Sequence, residues 1–159
     1  MPKRNNTTNL IHAAIDEACE DRAQFARDNE DCAPEDAREA RQVEQEMAAW
    51  KHDNLKDGAR WTPGSLREKG LAFFDPVCQA LYFAIISRTA RIIALENTNA
   101  GTGEDVAWRK SYQRLLSLLS QDVQPRKFIL MEPRDIIATI PEDSFEEVEG
   151  GGRVYRPKL

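Results

Sequence analysis

Histidine is the side chain that most readily supplies acid–base or metal chemistry near neutral pH, and the chain holds two, His12 and His52. His52 precedes Asp53, and an adjacent imidazole and carboxylate can both ligate a divalent ion. The setting is polar, with Lys51, Asn54, Lys56 and Asp57 around the pair. A solvated pair at a helix C-terminus, where histidine complements the helix dipole, accounts for the same residues. Three cysteines, Cys19, Cys32 and Cys78, are widely spaced and form no Cys-x-x-Cys. They indicate free thiols in a reducing compartment rather than a zinc or redox site.

His52-Asp53 resembles the dipeptide of HD-type metal-dependent phosphohydrolases. That resemblance implies an earlier histidine and a later aspartate facing one cavity, for which His12 and Asp75 or Asp122 are the candidates, with bound Mn or Fe. Glu35-Asp36-x-x-Glu39 imitates half of a helical nucleotide pyrophosphatase signature. The other half, Glu-x-x-Asp, occurs only at Glu132 to Asp135, where Pro133 interrupts it, so that family is rejected. Gly101-Thr-Gly103 has no third glycine and reads as a loop; neither a P-loop nor a Gly-x-Ser-x-Gly elbow occurs. No cofactor and no metal ligand set is expected.

Charge carries the stronger signal. Asp16 to Glu39 holds ten carboxylates against Arg22, Arg27 and Arg38, in a chain of net charge −5. As one continuous helix at about 1.5 Å per residue, this stretch would carry carboxylates about as closely as a nucleic-acid strand carries phosphates. Asp16, Glu17, Glu20, Asp21, Asp28, Asp31, Glu35 and Glu39 are therefore the candidate face for a partner with a basic surface. A solubilising outer face is the plainer account. A second candidate is basic: Arg88, Arg91, Arg109, Lys110 and Arg114, with Trp108 and Tyr112, can form a phosphate-binding patch. Internal pairing of those arginines with the acidic helices competes with it. Trp61, in a turn-rich stretch, either tucks over a core edge or anchors an interface.

These residues need elements to position them. Leu10, Ile11, Ala14, Ile15 and Ala18 recur at helical spacing, and Thr7 or Thr8 is the expected N-cap of a helix to about Arg27. Pro34 suits the first turn of a second helix, whose seam is Ala37, Ala40, Val43, Met47 and Trp50, ending before Gly58. Ser65-x-x-Glu68 predicts a capping box and a short helix to about Phe74, and Asp75-Pro76 a further start. Residues 77–95 are apolar on nearly every face, as befits the centre of a bundle; their length favours helix over a buried strand at 81–86. Thr102 is the expected cap of a fourth helix. Residues 127–131 and 136–140 read as short strands, and 145–149 with 153–155 as a hairpin or loose glycine turn.

The fold expected is mainly α: a small bundle of about four helices over 1–125, with a short β-hairpin or irregular C-terminal appendage over 126–159 packed on the same domain. At 159 residues, 41% hydrophobic and 31% charged, the chain suits one domain with a real core. No uninterrupted apolar run approaches the roughly 20 residues of a membrane span, and no secretory signal follows the start, so a cytoplasmic protein is expected. Covering 77–95 with few neighbours favours a homodimer. No catalytic constellation stands out. The function expected is a non-enzymatic protein-binding module (adaptor, regulator or inhibitor) acting through its acidic helical surface and in its sharpest form mimicking nucleic acid. The alternatives are the HD-like phosphohydrolase on His52 and Asp53 and a nucleic-acid binder using the arginines of 88–114.

Overall fold

The computed structural model describes residues 6–56, 58–95 and 101–121, together with the backbone of 145–148 and 152–155. Among them are five helices: α1 (Thr7–Asn29), α2 (Pro34–Asn54), α3 (Pro63–Lys69), α4 (Leu71–Leu95) and α5 (Gly103–Leu119). The architecture is a small helical bundle. Strands β1 (Phe145–Val148) and β2 (Gly152–Tyr155) pair antiparallel, Phe145 opposite Tyr155 and Val148 opposite Gly152, as expected for a hairpin. The strands anticipated at 127–131 and 136–140 lie outside the described residues.

Helix α4 is the axis of the bundle. Its buried Val77, Cys78, Leu81, Ala84 and Ile85 meet the α1 stripe of Leu10, Ile11, Ala14, Ile15 and Ala18 and the α5 face of Tyr112, Leu115, Leu116 and Leu119. The stretch 81–86 is helix, not strand. By length and composition α4 could cross a bilayer, although Arg88 and Arg91 interrupt its apolar run. In the bundle, 61% of its most apolar 18-residue window is buried by the rest of the protein. Helices α1 and α2 form an antiparallel hairpin. Near the turn, Ala26, Ala37 and Ala40 pack together, and such small side chains let two helices come close.

The helix starts differ from expectation in instructive ways. Asn6, not Thr7 or Thr8, caps α1; its Oδ1 accepts from the Asn9 amide at 3.1 Å. Thr62 caps α3 and Ser65 is its reciprocal partner, so the capping box sits three residues earlier than Ser65–Glu68. The cause is Pro63, which forces the preceding residue into the extended conformation that an N-cap requires. Gly70, at a φ of 94° that favours glycine, ends α3, and α4 then starts at Leu71. Asp75-Pro76 is consequently no start: Pro76 lies inside α4. The proline removes one bond to the carbonyl of Ala72, which is exposed and can be hydrated. At α5, Thr102 is the N-cap residue but its side chain makes no cap bond.

An aromatic clamp closes one end. The rings of Trp50, Trp61 and Phe73 lie with centroids 5.4–6.3 Å apart. Trp50 Nε1 donates to the Phe73 carbonyl at 2.8 Å and Trp61 Nε1 to the Asn54 carbonyl at 2.9 Å. The Trp61 amide donates to Thr8 Oγ1 at 2.8 Å. Residues 58–62 are thereby tied to α1, α2 and α4 together.

Burial also fixes the thiols. Desolvation raises the Cys19 pKa to about 11, with Glu44 and Asp16 adding to it, and the Cys78 pKa to about 12, with Asp75 adding. Cys32 is exposed in the turn between α1 and α2. Alkylation in mildly alkaline buffer should modify Cys32 first and leave Cys19 and Cys78 intact until denaturant is added, read by mass spectrometry of the native protein. Rapid labelling of Cys19 at such a pH would contradict the packing of α1 on α2.

Candidate functional site

Arg88 sits in the middle of the apolar helix, and a guanidinium there must find carboxylates. It finds two, from the helices on either side. Its Nη1 donates to Asp105 Oδ1 at 2.7 Å, and its Nε lies 2.7 Å from Glu17 Oε1, an ion pair not aligned as a hydrogen bond. Tyr112, fully buried, donates a hydrogen bond from Oη to Glu17 Oε2. Arg91, one turn on, shares Asp105 Oδ1 at 3.3 Å. Trp108 covers the guanidinium face, its ring centroid 5.5 Å from Arg88 Cζ. Burial opposes the charge on Arg88, but the bonds and charges of Asp105 and Glu17 outweigh it and hold the guanidinium pKa above its ordinary value. Burial, then the bond to Glu17, pushes the Tyr112 phenol well above the usual tyrosine range.

The phosphate-binding candidates are thus divided. Arg88 and Arg91 are engaged internally with Asp105 of α5, and of the two only Arg88 also meets a carboxylate of the acidic helices, Glu17. Arg109 Nε is buried with no hydrogen-bond partner, whereas Lys110 and Arg114 are exposed. Trp108 and Tyr112 lie with ring centroids 5.6 Å apart and tilted by 36°, Tyr112 buried and Trp108 partly so.

The acidic candidates are divided too. Glu17 points inward at Arg88 and Tyr112. Asp21 is bound by Arg22, whose Nε and Nη2 donate to Oδ2 at 3.0 and 2.8 Å. Burial raises the Asp21 pKa, an effect the Arg22 charge and hydrogen bond only offset in part. These two therefore do not belong to an outer face. Asp16 is exposed and bridges Lys51 Nζ at 2.5 Å and His12 Nδ1 at 3.1 Å. Asp28 accepts from Gln24 at 2.7 Å. Glu20, Asp31, Glu35 and Glu39, with Asp36, are exposed and have no ion-pair partner among the described residues. The 16–39 stretch is not a single rod: it reverses at 30–33, where Glu30 pairs with Arg41, so the carboxylates lie on a two-helix hairpin.

A groove of 280 Å³ runs between α1, α2 and α4 beside this hairpin. Phe25, Val43, Tyr82 and Phe83 line it, Arg22 lies in it, and Asp36 and Glu39 stand on its α2 wall. The signal for it in the sequence was the two acidic residues one turn apart on the same side of α2 as Ala40 and Val43. The facing contribution of α4 had no local signal.

His52 and Asp53 are both exposed, 3.3 Å apart at the end of α2. His12 is engaged on α1 with Asp16. Among the described residues no group of three or more His, Cys, Asp or Glu is placed to hold a metal ion. Trp61 is held by its two hydrogen bonds in the aromatic clamp, the core-edge position weighed against an interface role. Compared with protein-family models, curated proteins and solved structures, the chain matches none.

Two consequences can be measured. Arg88→Met strands two carboxylates and should lower stability by about 3–5 kcal/mol in chemical denaturation, while adding Glu17→Gln and Asp105→Asn recovers most of that loss. A single variant costing under about 1 kcal/mol contradicts the network. The Tyr112 proton is held more tightly in the folded state, so its stabilisation is complete below the unfolded pKa of about 10 and falls away as pH rises toward the folded value. Tyr112→Phe should lose about 1.5–3 kcal/mol at neutral pH and show a shallower alkaline decline than the parent.

Proposed function

We propose that the protein is a non-enzymatic protein-binding module, an adaptor, regulator or inhibitor, whose α1–α2 hairpin docks on a basic surface of another protein. The observation that supports this most is how the charges are sorted. The cations of α4 are matched internally by Glu17 and Asp105, while Glu20, Asp31, Glu35, Asp36 and Glu39 remain exposed without ion-pair partners among the described residues. Arg27 and Arg38 are exposed there too, but the unpaired carboxylates outnumber them, and such an excess of one sign steers a complementary partner and tunes its on-rate. A protein that handles nucleic acid is the sharpest candidate, because its groove is basic. The hairpin offers that groove two adjacent lines of carboxylates instead of one phosphate-like row.

The test is affinity capture from the native cell followed by titration of the captured partner. Affinity should fall steeply between low and high salt. The quadruple variant Glu20→Gln, Asp31→Asn, Glu35→Gln, Glu39→Gln should bind at least about tenfold more weakly, or about 1.4 kcal/mol. Unchanged affinity in that variant, with the fold intact by circular dichroism, refutes the reading.

A further inference from the structure

The groove between α1, α2 and α4 has a floor of one kind and a wall of another. Phe25, Tyr82, Phe83 and Val43 make the floor apolar and aromatic, and Asp36 and Glu39 set two exposed carboxylates on one wall. The chain's own cation in the groove does not neutralise them. Arg22 lies over the Phe83 ring at 4.1 Å and the Phe25 ring at 4.6 Å, and its guanidinium is turned to Asp21. Neither Asp36 nor Glu39 has an ion-pair partner among the described residues. The 280 Å³ volume falls just below the roughly 300–1,000 Å³ of small-molecule and cofactor sites and is on the scale of side chains.

An occupant that satisfies both surfaces has an apolar stem and a cationic head. Lysine and arginine have this form, and they bury their methylenes along apolar surface while the charge stays at the edge. We infer that this groove is the socket for a lysine or arginine side chain presented by the partner protein. The stem lies along Val43 and Tyr82, and the head meets Asp36 and Glu39. The inference rests on the protein-binding reading above and locates its anchor. The rest of the acidic hairpin supplies attraction without shape; the socket supplies a preference for stem length.

Two fluorescent peptides of equal length and charge test it by anisotropy on the full chain. One is built on lysine, the other on 2,4-diaminobutyrate, which carries the same cation on a shorter stem. The lysine peptide should bind at least about tenfold tighter. Val43→Lys, which places the chain's own cation in the groove, and Asp36→Asn with Glu39→Gln should each abolish that preference. The double variant alters only exposed side chains, so the test holds even if Val43→Lys fails to fold. Glu20→Gln, Asp31→Asn and Glu35→Gln, outside the groove, should weaken both peptides alike. Equal binding of the two peptides, weakened only by the outer variant, overturns the socket and leaves the acidic-surface reading standing. Binding of neither peptide overturns both. A dimer in sedimentation that Val43→Lys dissociates, without peptide binding, replaces the proposed occupant with a second copy of the chain.

Discussion

Arg88 is largely covered between Glu17 of α1 and Asp105 of α5, its side chain 13% exposed, and the bundle is organised around that contact. Desolvating three charges costs several kcal/mol each, and their mutual attraction returns this only when the geometry is right. An apolar helix packed on apolar neighbours can slide by a turn at little cost, because hydrophobic contact is non-directional. A charged triad cannot, since one turn of slip would strand Glu17, Arg88 and Asp105 away from one another. The network therefore contributes register among α1, α4 and α5 more than net stability. Tyr112 and Trp108 extend it on the α5 side, where the hydroxyl fills Glu17 Oε2 and the indole covers the guanidinium.

That constraint also determines what the surface is left with. Helix α4 contributes Arg88 and Arg91, and both turn to carboxylates of the same molecule. Arg22 is likewise matched by Asp21 and sandwiched between Phe25 and Phe83. Arg22 and Arg88 are thus engaged within the bundle, while Arg27 and Arg38 stay exposed on the hairpin among a larger number of outward carboxylates on α1 and α2. The net acidity of the first sixty residues becomes a local surface property through the pairing of a few interior groups. The same sorting explains why a helix of membrane-spanning length and composition sits as the axis of a bundle: its apolar faces are covered by four other helices, and its two arginines have partners.

Much of the fold could be read from residue spacing. The α1 stripe, the α2 seam and Pro34 at its first turn follow from helical periodicity and the stereochemistry of proline, and the length of the apolar stretch identified α4 against a strand. Start points were harder, since they depend on one side chain reaching one amide. Asn6 won over Thr7 and Thr8, and Pro63 moved the α3 cap to Thr62. Pro76 was misread as a start because burial of Phe74 and the aromatic clamp at Phe73 extend α4 backwards past it. The site was legible only in part. Glu17 and Asp21 belong to the same charge run as Glu20 and Asp28, and charge alone does not distinguish them. Glu17 lies beside Ala14 and Ala18 on the edge of the buried stripe, and an arginine within an apolar helix demands a carboxylate. Together those two signals pointed to the pairing. The α4 side of the groove, by contrast, depends on how three helices meet.

Interior and surface charges differ in their response to solvent, and this separates folding from binding. Glu17 and Asp105 each lie 2.7 Å from an Arg88 nitrogen in a mostly covered site, so salt screens them little. Exposed carboxylates act on a partner across distances comparable with the Debye length, about 8 Å at physiological ionic strength, and salt weakens that attraction directly. Exposed ion pairs such as Asp16 with Lys51 contribute little to stability in any case. A bundle whose register is set inside and whose attraction is set outside can change its surface charge without changing its fold. The outer carboxylates of the acidic hairpin can therefore be replaced at little cost to the fold, because no part of the core depends on them.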